Sequence, residues 1–164
     1  KIIDWDFVDT CWEKESREYQ YVAANYLKAM QSYLKDSDLP KLEQLVVTKS
    51  WWDTVDILDR VVGSLVYEKQ ELEKIILQWS LSDNIWLRRV AIDHQLLRKE
   101  KTNVQLLEKI LLHNLNQTEF FINKAIGWAL RDYSKTNPAW VAGFIEKNKE
   151  RMADLSIKEA SKYL

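Results

Sequence analysis

The chain has 164 residues, of which 46% are apolar, and its formal net charge is −1. This length can bury a sizeable core, while only three glycines and two prolines leave little material for tight β-turns. The balanced charge excludes a global attraction for nucleic acid, so any such role requires basic residues concentrated on one surface.

Helical periodicity runs along the whole chain and divides it into amphipathic segments with short polar breaks. In chain order, we predict helices over Trp5–Glu15, Glu18–Tyr33, Lys41–Thr48, Trp52–Tyr67, Gln70–Trp79, Asn84–Lys99, Val104–Leu115, Glu119–Ser134, Pro138–Asn148 and Ile157–Leu164. No linker is long enough to separate two domains, so residues 1–164 are predicted to form one all-α domain.

Polar residues and prolines mark the starts of several predicted helices. Ser82-Asp83 and Thr118 are expected to cap the helices that follow them, because their side-chain oxygens can accept hydrogen bonds from free N–H groups. Asn137-Pro138 gives another start, with proline at the first helical position.

An internal repeat relates three of the longer segments. Lys101–Asn103 recurs as Lys135–Asn137, a shift of 34 residues, and the same shift links Trp52 to Trp86 and Trp86 to Phe120. Such a period, built from helix pairs, is typical of solenoids in which each pair buries its apolar face on its neighbours. The TPR consensus does not fit, so we predict a HEAT-like helical-repeat solenoid of stacked antiparallel helix pairs, with its binding residues on the concave face.

The helix predicted to begin at Trp52 has two distinct faces. Its apolar side comprises Ile57, Leu58, Val61, Val62 and Leu65. Trp52, Asp56 and Arg60 follow each other on the other side, at i, i+4 and i+8. The spacing predicts an outward indole with a carboxylate one turn away. A simple surface pair between Asp56 and Arg60 would account for the same spacing without any function.

A later helix repeats this arrangement. Its polar side carries Phe120, Lys124, Trp128 and Arg131. In the helix between them, Arg89 falls between the apolar centre and the face that carries Trp86. Tryptophan on a helix is more often a core residue than a functional one, so packing is the simpler interpretation of Trp52 and Trp128 from spacing alone. Four other tryptophans are predicted to pack between helices: Trp5, Trp12, Trp79 and Trp86.

The remaining candidates favour structural roles. His94 and His113 lack partner spacing for a metal site or a catalytic triad. Cys11 is the single cysteine and cannot form an internal disulfide. We therefore expect no metal and no cofactor, and the free thiol favours a reducing, cytoplasmic location. Without an apolar run of spanning length, no membrane association is expected.

Four motifs carry a resemblance to a known family: Ser50–Asp56, Asn84–Arg89, Phe120–Arg131 and Lys135–Pro138. They resemble the DNA alkylation repair family, the HEAT-like alkylpurine DNA glycosylases of the AlkD type, over nearly the whole chain. The resemblance implies a monofunctional glycosylase that hydrolyses the N-glycosidic bond of cationic N3- and N7-alkylated purines in duplex DNA. It also implies that the lesion is not drawn into a pocket, unlike usual base flipping. We expect a monomer.

Carried over by motif, the family assigns roles to particular residues. Asp56 would be the catalytic carboxylate, which stabilises an oxocarbenium-like sugar or orients water, and Trp52 and Trp128 would line the cleft. We expect the catalytic group to comprise Asp56, Trp52, Trp128 and Arg89, and the DNA-binding group to comprise Arg89, Lys124 and Arg131. The family's N-terminal helices are not matched, so we expect a fragment that lacks them.

A non-catalytic interpretation remains open. A HEAT-like module can bind DNA or a protein partner on its concave face without any chemistry. Asp56 distinguishes the two hypotheses, because a pure binding surface would not require a carboxylate there. The geometric criterion is whether Trp52, Asp56, Arg89 and Trp128 converge on one cleft.

Overall fold

The computed structural model describes residues 1–164 and contains ten α-helices and no β-strand. In chain order these are α1 (Trp5–Glu13), α2 (Arg17–Ala29), α3 (Leu39–Val46), α4 (Trp52–Val66), α5 (Gln70–Trp79), α6 (Ile85–Asp93), α7 (Val104–His113), α8 (Phe120–Ser134), α9 (Pro138–Asn148) and α10 (Asp154–Ala160). Short 3₁₀ turns lie at Gln31–Tyr33, Asp36–Asp38, Lys99–Lys101 and Lys149–Arg151. The predicted all-α class is confirmed.

The helices pack in two layers. The even-numbered helices form one layer, in which α4 lies between α2 and α6, and α8 lies between α6 and α10. The odd-numbered helices pack against this layer: α1 contacts α2, α3 contacts α4, α5 and α7 contact α6, and α9 contacts α8. The three helices with the expected functional residues, α4, α6 and α8, are therefore neighbours.

Hydrogen bonds between successive repeats join residues about one repeat length apart. The side-chain amide of Asn114 donates to the carbonyl of Ser80, 34 residues earlier. Ser156 donates in the same way to the carbonyl of Asn123, 33 residues earlier. These separations match the shift of 34 in the sequence, and the HEAT-like repeat architecture is confirmed.

Buried side chains from both layers form one apolar core. Trp12 and Trp79 are buried in it, and Trp5 and Trp86 pack half-buried against it, as predicted. Cys11 is a buried free thiol. None of the helices combines the length and the apolar character needed to cross a membrane.

Most predicted helices agree with the structure to within a few residues. The bounds of α5 and α9 match the prediction at both ends. The segment Gln31–Tyr33 is a 3₁₀ turn where the prediction continues α2. The last helix spans Asp154–Ala160 rather than Ile157–Leu164.

The largest departure from the sequence prediction lies at the end of α6. The periodicity predicts a helix over Asn84–Lys99, but α6 ends at Asp93. Leu97 and Lys99 have φ values of 70° and 55°, which a right-handed helix cannot contain. The N–H of Leu97 donates instead to the Asp132 carboxylate on α8, so a contact with the next repeat replaces the helical hydrogen bond.

Two of the three expected helix caps are displaced. Asn84 caps α6 in place of Ser82-Asp83, and Glu119 caps α8 in place of Thr118. In both cases the residue directly before the helix supplies the side-chain oxygen, which accepts from the free N–H groups of the first turn. Asn137 caps α9 as predicted, directly before the proline at the first helical position.

Candidate functional site

A bidentate ion pair between α4 and α6 forms the centre of the candidate site. The Nε and Nη2 atoms of Arg89 donate to Oδ1 and Oδ2 of Asp56 at 2.8 and 2.9 Å. The Arg89 side chain is 2% exposed, whereas that of Asp56 is 19% exposed. Since guanidinium and carboxylate are coplanar forks, this contact fixes the orientation of the carboxylate as well as its position. Asp56 therefore presents a rigid carboxylate at the surface.

Arg89 also joins α8 to this pair. Its Nη1 atom donates to the carbonyl oxygen of Phe121 at 2.6 Å. The guanidinium carbon lies 5.6 Å from the ring centre of Trp128 and 5.7 Å from that of Phe121. These distances are within the range of cation–π attraction. One buried side chain thus links three successive even-numbered helices and contacts both Asp56 and the Trp128 ring.

In this structure the Arg89 guanidinium is engaged within the protein, which bears on its expected role as a DNA contact. A phosphate would have to replace Asp56 or the Phe121 carbonyl as a partner, because both edges of the guanidinium are already occupied and the side chain is buried. The simple pair of Asp56 with Arg60 is also not what the structure contains. Arg60 donates to the backbone oxygen of Asp56 at 3.0 Å, and its Nε atom lies 3.4 Å from Asp59.

Two exposed aromatic rings lie on helices that the Arg89 side chain links. Trp52, at the start of α4, is 49% exposed, and Trp128 on α8 is 36% exposed. Trp52 lies one helical turn before Asp56, so its ring and the carboxylate share one face of α4. Arg89 contacts both Asp56 and Trp128, whereas Trp52 is related to them only by its place on α4. Large exposed apolar rings on neighbouring helices indicate a binding surface.

A second set of aromatic residues packs at the starts of α4, α6 and α8, where Trp51 is itself 48% exposed. The ring centres of Trp51 and Trp86 lie 5.8 Å apart, and Phe121 lies 5.2 Å from Trp51 and 4.9 Å from Trp86. The sequence shift of 34 relates Trp52 to Trp86 and Phe120. The rings that pack against Trp86, however, belong to the adjacent residues Trp51 and Phe121. The cluster anchors α4, α6 and α8 relative to each other.

The two remaining basic candidates, Lys124 and Arg131, lie on α8 and share one acidic partner on α10. Lys124 Nζ lies 2.9 Å from Oε1 of Glu159, and Arg131 Nη1 lies 3.4 Å from Oε2. The hydrogen bond from Lys124 is the main cause that lowers the pKa of Glu159. Arg131 also donates to the hydroxyl of Tyr163 at 3.1 Å. Both cations remain partly exposed, at 26% and 29% of their side chains.

An open depression of about 170 Å³ lies beside Trp128. Three cationic side chains line it: Arg60, Arg131 and Lys135. Its other walls are Leu96, Leu97, Trp128 and Asp132. A shallow, cationic surface next to an exposed indole suits an anionic polymer better than a small apolar ligand, which needs an enclosed pocket.

Two buried acids behind the ion pair were not singled out from the sequence. Asp59 on α4 and Asp93, the last residue of α6, are 1% and 0% exposed, and one carboxylate oxygen from each lies within 4.8 Å of the other and of an Asp56 oxygen. Burial raises the pKa of Asp59 to about 8 and that of Asp93 well above its ordinary value. Three carboxylates are a donor set for divalent cations, but here guanidinium groups already pair with Asp56 and Asp59.

The start of α4 is fixed by a further acid. Asp53 accepts hydrogen bonds from Arg17 and from the hydroxyl of Tyr21, both on α2. Hydrogen bonding to Arg17 is the main cause that lowers the pKa of Asp53 to about 2. Asp53 directly follows Trp52, so this contact between α2 and α4 supports the helical turn that presents the exposed indole.

The approach of α4 to α6 depends on one glycine. A Cβ atom at Gly63 would lie 2.0 Å from the carbonyl oxygen of His94. No real Cβ contact is that short, so the two helices can meet at this distance only because Gly63 has no side chain. The carbonyl oxygen of Gly63 also accepts from Arg98 at 2.7 Å. The close contact keeps the carboxylates of both helices near each other.

Comparison with known proteins gives one consistent result. The family model described as DNA alkylation repair enzyme matches residues 2–164. A solved structure of a predicted DNA alkylation repair enzyme from Enterococcus faecalis is 37% identical, with a TM-score of 0.90 over 98% of this chain and 75% of that chain. The crystal structure of AlkD2 from Streptococcus mutans, at 18% identity, has a TM-score of 0.75 over 96% and 79% of the two chains and shows the likeness of fold. The curated proteins contain no significant match.

Proposed function

The chain belongs to the DNA alkylation repair enzyme family, and we propose that it is a monofunctional DNA glycosylase acting on cationic N3- and N7-alkylated purines in duplex DNA. One observation carries the proposal: the Asp56 carboxylate reaches the surface while a buried guanidinium holds it in a fixed orientation. A carboxylate at an ordinary protein surface is mobile and solvated. A preorganised one can stabilise positive charge that develops on a substrate without reorganising first.

The proposed reaction is hydrolysis of the bond between C1′ of the deoxyribose and the purine nitrogen. The bonding electron pair leaves with the alkylpurine, which is already cationic and departs as a neutral base, so no general acid is needed. Water forms the new bond to C1′ and releases its proton through Asp56 to solvent. The transition state has oxocarbenium character, and the Asp56 carboxylate lies on the surface where it can face that charge.

Trp52 and Trp128 are proposed as the walls of the cleft. Both rings are exposed; Trp52 lies one helical turn before Asp56 on α4, and the Trp128 ring contacts Arg89, the partner of Asp56. An indole face attracts a cationic base or sugar with about 0.5–2 kcal/mol, depending on how far the site is desolvated. This attraction favours the alkylated, charged purine over a normal, neutral one.

Lys124 and Arg131 are proposed as contacts to the DNA backbone, with Arg89 moved from that group to a positioning role. Arg89 holds Asp56 and the Phe121 carbonyl and is buried, whereas the two α8 cations are partly exposed and Arg131 lines the cationic depression. Phosphate contacts fix the register of the duplex without reading sequence. We propose that the protein acts as a monomer in the cytoplasm, with duplex DNA as its partner and with no metal or cofactor.

The experiment measures release of N7-methylguanine or N3-methyladenine from methylated duplex DNA. Asp56→Asn removes the charge and keeps the shape, so we expect excision to fall by about 10²–10³, while the protein, less stable because buried Arg89 loses its charged partner, still folds and binds DNA. Asp9→Asn, on an exposed position of α1, is the matched control and should excise normally. A loss of only a few-fold would make Asp56 a structural residue. Binding to DNA without any release of base would favour a non-catalytic module.

A further inference from the structure

The buried acids Asp59 and Asp93, here called the acid pair, have no part in the proposed reaction. They lie 34 residues apart, so they occupy equivalent positions in successive repeats and meet where α4 packs on α6. Both lie behind the Asp56–Arg89 ion pair, and one carboxylate oxygen from each of the three acids lies within 4.8 Å of the other two. The acid pair therefore belongs to the inner side of the candidate site.

The hydrogen bonding of the acid pair is incomplete. Neither carboxylate oxygen of Asp93 has a hydrogen-bond partner, although the residue is 0% exposed. Asp59 has one weak contact, to Arg60 at 3.4 Å. An ionised carboxylate is strongly disfavoured in a dry interior without donors, so a positive charge or a proton must compensate this group.

The positive and negative charges around the acid pair do not balance. Three carboxylates, Asp56, Asp59 and Asp93, face two guanidinium groups, Arg89 and Arg60. The group is short of one positive charge. One proton supplies that charge, whereas a divalent cation would exceed it and would have to displace the guanidinium partners of Asp56 and Asp59.

We propose that Asp59 and Asp93 share one proton and thereby reserve Arg89 for Asp56. In this protonated form the pair contains a carboxyl O–H that can donate to the other carboxylate, and only one negative charge remains opposite Arg60. Asp59 and Asp93 are therefore positioning residues, which act through Arg89 and do not touch the DNA. Their effect on excision rests on the proposed function, while the shared proton itself does not.

The surroundings are consistent with a retained proton at neutral pH. Burial, followed by the mutual repulsion of the acids, raises the pKa of Asp93 well above its ordinary value, and burial raises the pKa of Asp59 to about 8. On the α8 side, Arg89 meets the Phe121 carbonyl and the Trp128 ring, neither of which titrates. His94, next to Asp93, is buried and neutral, with its pKa lowered to about 3 by burial.

The shared proton predicts how stability changes with pH. The unfolded chain releases this proton above the ordinary aspartate pKa of about 3.9, whereas the native protein retains it up to a pKa of about 8. The native state then binds more protons than the unfolded state, so the free energy of unfolding decreases as pH rises through this window. Removing the titration, by replacing an acid with its neutral amide, should abolish the decrease.

The first test is urea unfolding between about pH 5 and about pH 8, on the full chain. The wild-type midpoint should fall over this range. Asp93→Asn, whose amide can donate to Asp59, should have a midpoint that changes much less and exceeds the wild-type value at the alkaline end. Asp59→Asn is a second variant of the same kind, and Asp9→Asn is the exposed control, which should follow the wild type.

The second test is the pH profile of excision. Above the pKa of the pair, the released proton leaves a second carboxylate that competes with Asp56 for Arg89, so wild-type excision should decline. Asp93→Asn cannot make this change, and the ratio of its rate to the wild-type rate should rise by about tenfold for each pH unit above that pKa. The ratio cancels any effect of pH on the alkylated DNA itself.

The outcomes separate the two proposals. Parallel midpoints for the wild type and both amide variants across the pH range would overturn the shared proton. A midpoint that rises on addition of Mn²⁺, and does so only in the wild type, would also overturn it, since a cation would then occupy the group. A wild type that excises no alkylpurine but has the expected pH-dependent midpoint would refute the glycosylase and support the shared proton.

Discussion

The α4–α6 junction and the α8–α10 surface both carry ion pairs between successive repeats, and they differ in burial. At the junction, Arg89 is 2% exposed and holds Asp56 with two hydrogen bonds. At the surface, Glu159 faces Lys124 and Arg131, all of which remain partly exposed. Loss of one partner of a buried ion pair strongly destabilises the folded protein, whereas an exposed ion pair contributes little to its stability.

This difference in burial allows one fold to combine a rigidly held carboxylate with cations that can exchange their partners. The proposed catalytic role of Asp56 requires a carboxylate that keeps its orientation, and the buried, bidentate partner supplies that rigidity at the junction. The proposed contacts of Lys124 and Arg131 to a DNA backbone would have to form and dissociate, and exposed cations with one shared acid can exchange that acid for a phosphate. Matched variants at the junction and at the surface test whether the two regions behave as differently as their burial indicates.

The largest effect should come from the buried arginine. Arg89→Leu leaves Asp56 and the acid pair without their guanidinium and the Phe121 carbonyl without its donor, so we expect a loss of about 3–5 kcal/mol in the free energy of unfolding. Excision should fall by at least as much as in Asp56→Asn. Urea unfolding and base release measure the two effects.

Arg131→Leu is the matched variant at the α8–α10 surface. Because its ion pair is exposed, we expect no measurable change in the urea midpoint, together with weaker binding to duplex DNA. Equal destabilisation by Arg89→Leu and Arg131→Leu would contradict the division of the molecule into a rigid junction and an adjustable surface.

An intermediate effect is expected from the glycine at the junction. Gly63→Ala places a methyl group against the His94 carbonyl and must push α4 away from α6, at about 1–3 kcal/mol in stability. Gly143→Ala is the matched control in α9, where no atom lies within 4 Å of a Cβ. The control should be stabilising by about 0.5–1 kcal/mol, as alanine is in most helices. Equal changes in the two variants would show that the close approach at Gly63 is not needed.

The sequence predicts most of the fold because the helices follow from the spacing of apolar residues within each segment. Their stacking follows from the 34-residue repeat. The sequence also predicts that Trp52 and Asp56 share an outward face, since both lie on one helix. The partner of Asp56 is 33 residues away on another helix, and periodicity leaves the direction of Arg89 ambiguous. The early end of α6 could not be predicted for the same reason, because the contact of Leu97 with Asp132 forms only when the repeats pack.

The acid pair illustrates a signal that was present but not decisive. Asp59 looks like an ordinary helix-surface acid next to Arg60, and only the packing of α6 buries it. The shift of 34 does relate Asp59 to Asp93, so a repeat comparison of charged positions would have found both. Their burial and missing hydrogen bonds could not have been predicted, because these depend on the distance between α4 and α6.

The smallest expected effect concerns the acid at the α8–α10 surface. Glu159→Gln removes the charge that Lys124 and Arg131 share and keeps the side-chain contact on Gly127. Two cations then face solvent without a carboxylate, so affinity for undamaged duplex DNA should rise a few-fold at low salt. The salt dependence should steepen as well, because binding releases more counterions from the DNA.

Fluorescence anisotropy with a labelled duplex over a range of salt concentrations measures this effect. Glu150→Gln, on an exposed 3₁₀ turn, is the control for a change of net charge and should leave the affinity almost unaltered. Weaker binding by Glu159→Gln would mean that the acid orients the two cations toward the phosphates rather than competing with them. In that case the α8–α10 surface would be preorganised in the same way as the junction, and the contrast between the two regions would be one of burial alone.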